Sequence, residues 1–218
     1  MGHEPPEFGG RLLRRRVAIA LTIPVGAVLL RVALSTPARD PAFYLWTAAV
    51  SVVWTVGGLL SGPVPLRGPS PGQERRAGVP ASVVTGLLAA ATVVGAALIA
   101  RRIPPLRADL TAVLAHAPRG TLLPVIVLAL ANGAAEEVFF RGAVYAAVGR
   151  AYPVAISTGI YTLAVASSGG VALALAAVGL GFLLGLQRRA TGGVLAPMLT
   201  HLTWTAVTLP ALTRLLST

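Results

Sequence analysis

Two adjacent glutamates lie inside a long apolar stretch of the chain. Glu136 and Glu137 occur in TLLPVIVLALANGAAEEVFFRGAVYAAVGR, and Arg141 follows within the same stretch. A carboxylate at bilayer depth costs roughly 2.5–3.5 kcal/mol on insertion scales. The other five acidic residues all lie in polar intervals: Glu4, Glu7, Asp40, Glu74 and Asp109. The paired glutamates are therefore candidates for chemistry, and a structural ion pair that ties helices together is the alternative.

Helical spacing gives the two glutamates different neighbours. Glu137 and Arg141 are four residues apart and share a helix face, with the acid first, which is the favourable order for an ion pair. Glu136 points about 100° away from Glu137 and shares a face with Asn132 and Phe140. Because Glu136 has no cation built into its own face, its carboxylate is suited to act as a general base or acid.

The last apolar segment adds a histidine to this inventory. His201 lies within APMLTHLTWT, where Thr200, Thr203, Trp204 and Thr205 offer hydrogen-bond donors. A single histidine in a membrane helix is usually a packing residue, and neighbouring threonines often serve as contacts between helices. In a chain that also carries the Glu-Glu-Arg group, we favour a functional role for His201. We assign none to His3 or His116.

Composition predicts an all-α, polytopic membrane protein. Hydrophobic residues make up 55% of the chain, charged residues 11%, and the mean hydropathy is +0.77, whereas soluble domains carry about 25% charged residues. Spans of about 20 residues are needed to cross a bilayer. The apolar runs predict seven of them: 17–35, 42–61, 81–100, 121–148, 152–167, 171–186 and 194–216.

Two intervals between these spans have distinct characters. The segment GPVPLRGPSPGQERRAGVP is rich in proline and glycine and predicts a loop. The segment ADLTAVLAHA, residues 108–117, is too short to span and predicts an interfacial helix lying on the membrane. We therefore divide the chain into N-terminal transmembrane helices with the interfacial helix, 1–119, and a membrane core, 120–218.

The net charge of +11 comes from arginine, since the sequence has no lysine. The arginines flank apolar spans, so we expect the lipid bilayer rather than nucleic acid as the partner. Their distribution predicts a cytoplasmic N-terminus under the positive-inside rule, and we expect the bacterial plasma membrane. The absence of cysteine excludes disulfides, thiolate catalysis and iron–sulfur clusters.

The motif Glu136-Glu137-Val-Phe-Phe-Arg141-Gly142 resembles EExxxR of the CPBP intramembrane proteases, also called the CAAX-protease, bacteriocin-processing or Abi family. The downstream order is also similar to that family: a short span, the segment GLGFLLG, then Arg188-Arg189-Ala-Thr-Gly-Gly and a last helix with His201. The resemblance covers about residues 120–208.

This resemblance implies a membrane hydrolase with its site within the bilayer. Carried over residue by residue, Glu136 would activate a water, Glu137 and Arg141 would support it, and His201 would be the histidine of the last motif. Thr205 and Tyr161 would occupy the substrate or oxyanion positions. The family also allows a metal, so the resemblance implies a zinc ion with Glu136 and His201 as ligands.

Two departures from the family pattern stand out. The middle motif FxxxH has Tyr161 and Val165 at its two defined positions, and the last motif, HxxxN or HxxxD, ends in Thr205. One water-positioning histidine is therefore missing, and a hydroxyl replaces the oxyanion amide.

The first hypothesis for function is a CAAX-type intramembrane endopeptidase. Such an enzyme would cleave a membrane-associated or prenylated peptide with a glutamate-activated water. The second is a non-catalytic relative that binds a membrane partner or confers immunity. The third is a transporter that uses Glu136 as a proton carrier, although no inverted repeat is visible.

Overall fold

The computed structural model describes residues 6–68, 78–117, 122–149 and 151–216, with side chains from residue 10 onward. Eight helices and no strand occur in these ranges. They are α1 Pro6–Ser35, α2 Ala42–Leu60, α3 Val79–Ala100, α4 Pro104–Leu114, α5 Leu122–Val148, α6 Pro153–Ala166, α7 Val171–Thr191 and α8 Leu195–Leu216. The all-α membrane fold predicted from the sequence is confirmed.

Five helices are long and apolar enough to cross a membrane by length and composition: α2, α3, α5, α7 and the Gly10–Ser35 part of α1. The predicted count of seven is not confirmed. Helix α6 has 14 residues, or roughly 21 Å at 1.5 Å per residue, which is shorter than a hydrocarbon core of about 30 Å. Helix α8 has 22 residues, but its central histidine and threonines make it less apolar than the other long helices.

Most helix boundaries lie near those predicted. Helix α1 begins well before Val17, so the arginines preceding the apolar run are part of the helix. The short helix α4 begins at Pro104 rather than at residue 108, because proline is well accommodated in a first helical turn. Residues 62–68 of the predicted loop are non-helical, and 69–77 lie outside the described residues. That α4 lies on the membrane surface, and that the chain divides near residue 119, stay predictions.

Helix α5, which carries the glutamates, packs against α2 on one side and α8 on another. Aromatic side chains fill the space around it: Trp54 of α2 stacks near Phe139 and Phe140, and Phe140 meets Tyr161 of α6 edge-on with 4.9 Å between ring centroids. Helix pairing inside a membrane relies on such close packing, because lipid tails are as apolar as the side chains.

A small residue brings α3 and α8 together. A Cβ atom added at Gly86 would lie 2.7 Å from the main-chain oxygen of Thr200, so the two backbones touch where only glycine fits. Thr200 also donates a hydrogen bond to the carbonyl of Ser82, at 3.0 Å. This contact fixes the height of α8 and therefore the depth of His201, the next residue.

Candidate active site

The backbone of α5 changes form at the glutamates. Residues Leu122–Glu136 are α-helical, residues Glu137–Val144 form a π-helical segment, and Tyr145–Val148 return to α-helix. Extended π-helical segments are rare and often occur at functional sites. Both acids are buried, with Glu136 7% exposed and Glu137 0% exposed. The sequence indicated the acids but not the wider helix that carries Glu137 and Arg141.

Glu136 is held by two hydrogen-bond donors, one on each carboxylate oxygen. Asn132, one turn earlier on α5, donates its Nδ2 to Oε1 at 2.7 Å, and the hydroxyl of Tyr161 donates to Oε2 at 2.9 Å. Ser51 of α2 in turn donates to Oδ1 of Asn132 at 3.3 Å. Three helices therefore fix the orientation of this carboxylate.

Glu137 forms the ion pair that its spacing predicted. Its Oε1 accepts from Nη1 of Arg141 at 2.9 Å and lies 2.8 Å from Nδ1 of His201. Arg141 is 1% exposed. It also donates to the main-chain oxygen of Gly181 at 3.2 Å, and its guanidinium lies 4.7 Å from the ring centroid of Tyr161. The second oxygen of Glu137, Oε2, is buried without a hydrogen-bond partner.

The contact with Glu137 determines how His201 is oriented. An ionised carboxylate only accepts hydrogen bonds, so Nδ1 of His201 carries the proton in this contact. In its neutral form the ring presents an unprotonated Nε2, which faces Oε2 of Glu136 across 4.0 Å. This carboxylate–imidazole arrangement is one that hydrolases use to orient a histidine. Gly133 of α5 lies beside the ring, where an added Cβ atom would be in van der Waals contact with Nε2 at 3.4 Å.

Tyr161, Val165 and Thr205 lie at different distances from the two glutamates. Tyr161 contacts Glu136 directly. Val165, one turn further along α6, packs against the hydrophobic core and supplies no polar atom. Thr205 is buried on α8 one turn after His201, and it makes no hydrogen bond to the cluster within the described part of the chain. Five of the six candidate residues therefore form one close group, and Thr205 lies beside it. The five are Glu136, Glu137, Arg141, Tyr161 and His201.

The donor set does not fit a catalytic zinc ion. Such an ion normally takes three protein ligands, and among the described residues no group of three or more His, Cys, Asp or Glu side chains is arranged to hold a metal. Glu137 approaches Nδ1 of the His201 ring and Glu136 approaches Nε2. The two carboxylates therefore cannot bind the same metal ion together with one ring nitrogen. Only His201 Nε2 and Glu136 face a common space, which makes two ligands.

Two surface cavities lie against α5, and neither is lined by the buried acids. One is bounded by Arg14, Pro63 and Val138, and the other by Tyr44, Leu128 and Ala131. The sequence predicts an opening toward Arg150, Arg188 and Arg189. Arg150 lies outside the described residues, Arg188 is buried and Arg189 is exposed. The position of the opening stays a prediction.

Two features of the site were not predicted from the sequence. The Gly181 carbonyl on α7 receives a hydrogen bond from Arg141, and Arg188 donates its Nε–H to the main-chain oxygen of Arg141 at 2.9 Å. Both contacts depend on how α7 packs against the π-helical segment. The basic pair at the end of α7 is visible in the sequence, but nothing there distinguishes its buried member from its exposed one.

Comparison with known protein families gives a match to part of the chain. The model of the type II CAAX prenyl endopeptidase Rce1-like family matches residues 118–207. That segment contains α5 to most of α8 and every residue of the Glu136–Glu137–Arg141–His201 cluster. Comparison with curated proteins gave no match, and comparison with solved structures gave none. Residues 118–207 of this integral membrane protein therefore match the CAAX-protease family that the motif predicted.

Proposed function

We propose that the protein is an intramembrane endopeptidase in which Glu136 activates a water molecule to cleave a membrane-associated peptide. The observation that carries this proposal is the gap between Glu136 Oε2 and His201 Nε2, at 4.0 Å. A water about 2.8 Å from each atom would subtend an angle of about 90°, which is close enough to tetrahedral for two hydrogen bonds.

The chemistry needs both acceptors to be held in place. The water would donate one hydrogen to Glu136 and the other to His201 Nε2, which leaves an oxygen lone pair for the peptide carbonyl carbon. As the carbon–oxygen bond forms, Glu136 takes the proton, and it later returns this proton to the departing amine as the carbon–nitrogen bond breaks. Asn132 and Tyr161 keep the carboxylate oriented, so little reorganisation is needed during the reaction.

The second glutamate has a supporting role in this scheme. Glu137 fixes the ring of His201 through Nδ1, and Arg141 balances the charge of Glu137 in a site with little solvent. Tyr161 holds Glu136 by a direct hydrogen bond, and the scheme has no counterpart of the water-positioning histidine that the family pattern has at position 165. Thr205, one turn from His201, is the residue we assign to the developing oxyanion. Since the donors present do not fit zinc, no step is assigned to a metal.

The substrate proposed is a peptide whose reacting end lies in or at the bilayer. A prenylated peptide would meet this requirement, because its lipid would bring the scissile bond to the membrane. We also propose a cytoplasmic N-terminus in a bacterial plasma membrane, on the arginine distribution described above.

A second candidate is a binding protein that keeps the fold without the reaction. Val165 in place of the motif histidine favours it, as does the absence of Glu136 and His201 from the lining of both surface cavities described. The experiment that separates the two candidates compares the wild type with Glu136→Gln in liposomes that contain a membrane-anchored peptide.

For an endopeptidase, the wild type releases a product that mass spectrometry can map, and the variant binds the peptide without releasing it. For a binding protein, both proteins bind the peptide and neither forms product. Retention of wild-type cleavage by Glu136→Gln would reject the role assigned to Glu136.

A further inference from the structure

The surface cavity beside Arg14 combines one cation with an apolar wall. Its volume is about 530 Å³, within the range of roughly 300–1,000 Å³ that is usual for small-molecule sites. Arg14 is the one charged side chain among the described residues that line it. The other lining side chains come from α2, the segment 62–68 and α5: Leu59, Pro63, Val64, Leu66 and Val138. Such a lining fits a ligand with an anionic part and an apolar part.

Arg14 has no counterion in the described part of the chain. It makes no hydrogen bond or ion pair there, whereas the adjacent Arg15 donates to the main-chain oxygens of Ser61 and Pro63 at 3.2 and 3.3 Å. The four acidic side chains that the structure describes have other partners: Asp40 and Asp109 accept from main-chain N–H groups, Glu136 from Asn132, and Glu137 from Arg141. The guanidinium of Arg14 therefore keeps its donors for an anion from outside the described chain.

The wall that faces Arg14 is anchored to other helices. The main-chain oxygens of Pro65 and Leu66 accept hydrogen bonds at 3.0 Å from the N–H groups of residues 194–195, where α8 begins. Val64 packs against α5, since a Cβ atom added at Gly142 would lie 2.8 Å from its Cγ1. The segment 62–68 is therefore fixed against the two helices that carry the candidate active site.

The cavity lies near one end of two membrane-spanning helices. Arg14 is the fifth residue of the membrane-crossing part of α1, Gly10–Ser35, which places it roughly 6 Å from the end of that span at 1.5 Å per residue. Leu59 is the last residue but one of α2. An arginine at this depth extends its guanidinium toward lipid headgroups while its apolar stem lies along the acyl chains.

We propose that this cavity binds an anionic phospholipid, with the phosphate on Arg14 and an acyl chain along Leu59, Leu66 and Val138. The planar guanidinium offers two parallel N–H groups to phosphate oxygens. Val138 immediately follows Glu137, so the acyl chain would contact the π-helical segment. This lipid site goes beyond the proposed peptidase reaction and does not depend on it.

A peptide segment is the alternative occupant, and the lining suits it less well. An extended peptide has an N–H and a C=O group at every residue, and each needs a partner where water is scarce. The lining side chains other than Arg14 are apolar. Pro63 has no N–H, and its carbonyl already accepts from Arg15. Because an acyl chain needs no such partners, the cavity favours a lipid.

The test compares two lipids with identical dioctanoyl chains, phosphatidylglycerol and phosphatidylcholine, which differ in net charge. The full chain is kept in micelles of a neutral detergent, and the binding of each lipid is measured by native mass spectrometry. We expect the wild type to bind phosphatidylglycerol about fivefold more tightly, the size expected for one basic residue that faces an anionic lipid. Arg14→Gln should remove this preference. Arg16→Gln should keep it, because Arg16 is exposed on the same helix but does not line the cavity.

A second pair of variants tests the apolar wall. Leu59→Asn places a polar group in the lining and should weaken the binding of both lipids about threefold or more. Leu60→Asn is the control, because Leu59 and Leu60 are similarly exposed, at 60% and 55%, and only Leu59 lines the cavity. Equal effects of the two variants would contradict the placement of the acyl chain.

Several results would overturn the lipid site. Equal binding of the two lipids by the wild type would do so without any variant, so the test survives if Arg14→Gln does not fold. A preference that survives Arg14→Gln, or that Arg16→Gln lowers as much, would assign the attraction to the overall charge of +11. Displacement of bound phosphatidylglycerol by inorganic phosphate at equal concentration would assign Arg14 to a free anion, and displacement by a membrane-anchored peptide would assign the cavity to a peptide.

Discussion

Removing the charge of Arg141 should destabilise the protein far more than removing the whole ion pair. At the 2.9 Å separation of Arg141 and Glu137, the attraction is about 6 kcal/mol for an effective dielectric constant of about 20. Breaking a buried pair from one side typically costs about 3–5 kcal/mol. Arg141→Met leaves the carboxyl group of Glu137 0% exposed and, among the described residues, with His201 as its one remaining side-chain partner.

The double variant Arg141→Met/Glu137→Gln removes both charges. Glutamine still has an oxygen that accepts the Nδ1–H of His201, so the contact at 2.8 Å can persist. Replacing a buried pair by neutral groups is often close to neutral in stability. We therefore expect the double variant to be more stable than Arg141→Met, with a coupling free energy of at least about 2 kcal/mol.

The assay is equilibrium unfolding in mixed micelles, followed by the fluorescence of the three tryptophans. Arg189→Met is the matched control, because it removes an exposed arginine from the neighbouring helix. The Glu137→Gln single variant completes the cycle, and a destabilisation of the double variant that equals the sum of those of the two single variants would refute the buried pair. So would a wild-type unfolding midpoint for Arg141→Met.

Three other changes test separate parts of the site. Tyr161→Phe keeps the ring contacts but removes the hydrogen bond to Glu136, so the cleavage rate should fall about 10- to 100-fold. Tyr152→Phe is the control, because Tyr152 is exposed, and it should have little effect. Equal cleavage rates for the two variants would contradict the role of Tyr161. Val165→His should raise cleavage by supplying a second imidazole, and an inactive protein that gains nothing would favour the binding candidate. A cysteine at Arg189 should react with a reagent added to the cytoplasmic side, since the native chain has no cysteine, and labelling from the outside alone would reverse the proposed orientation.

The parts of the fold and site that could be predicted are those that depend on neighbours along the chain. Hydropathy indicated the long helices, and the four-residue spacing indicated the pair Glu137–Arg141 and the shared face of Asn132 and Glu136. The short α6 was predicted as a span from its apolar composition, but its 14 residues are fewer than the roughly 20 that a straight span needs, so its count as a span is not confirmed.

The features that could not be predicted depend on contacts between helices. Nothing local distinguishes Tyr161, which donates to Glu136 from another helix, from any other aromatic residue of a membrane span. The π-helical segment depends on packing around Arg141, and the burial of Arg188 beside its carbonyl depends on the path of α7. The contact between His201 and Glu137 depends on how far α8 is shifted along α5, which local sequence does not determine.

The most direct test of the central claim is the single-turnover rate at which purified protein in liposomes cleaves a membrane-anchored peptide, for the wild type and for Glu136→Gln. A general base typically contributes 10²–10⁴-fold, so we predict that the variant is slower by at least about 100-fold while its unfolding midpoint stays close to that of the wild type. Equal single-turnover rates for the two proteins would contradict the assignment of Glu136 as the residue that activates the water.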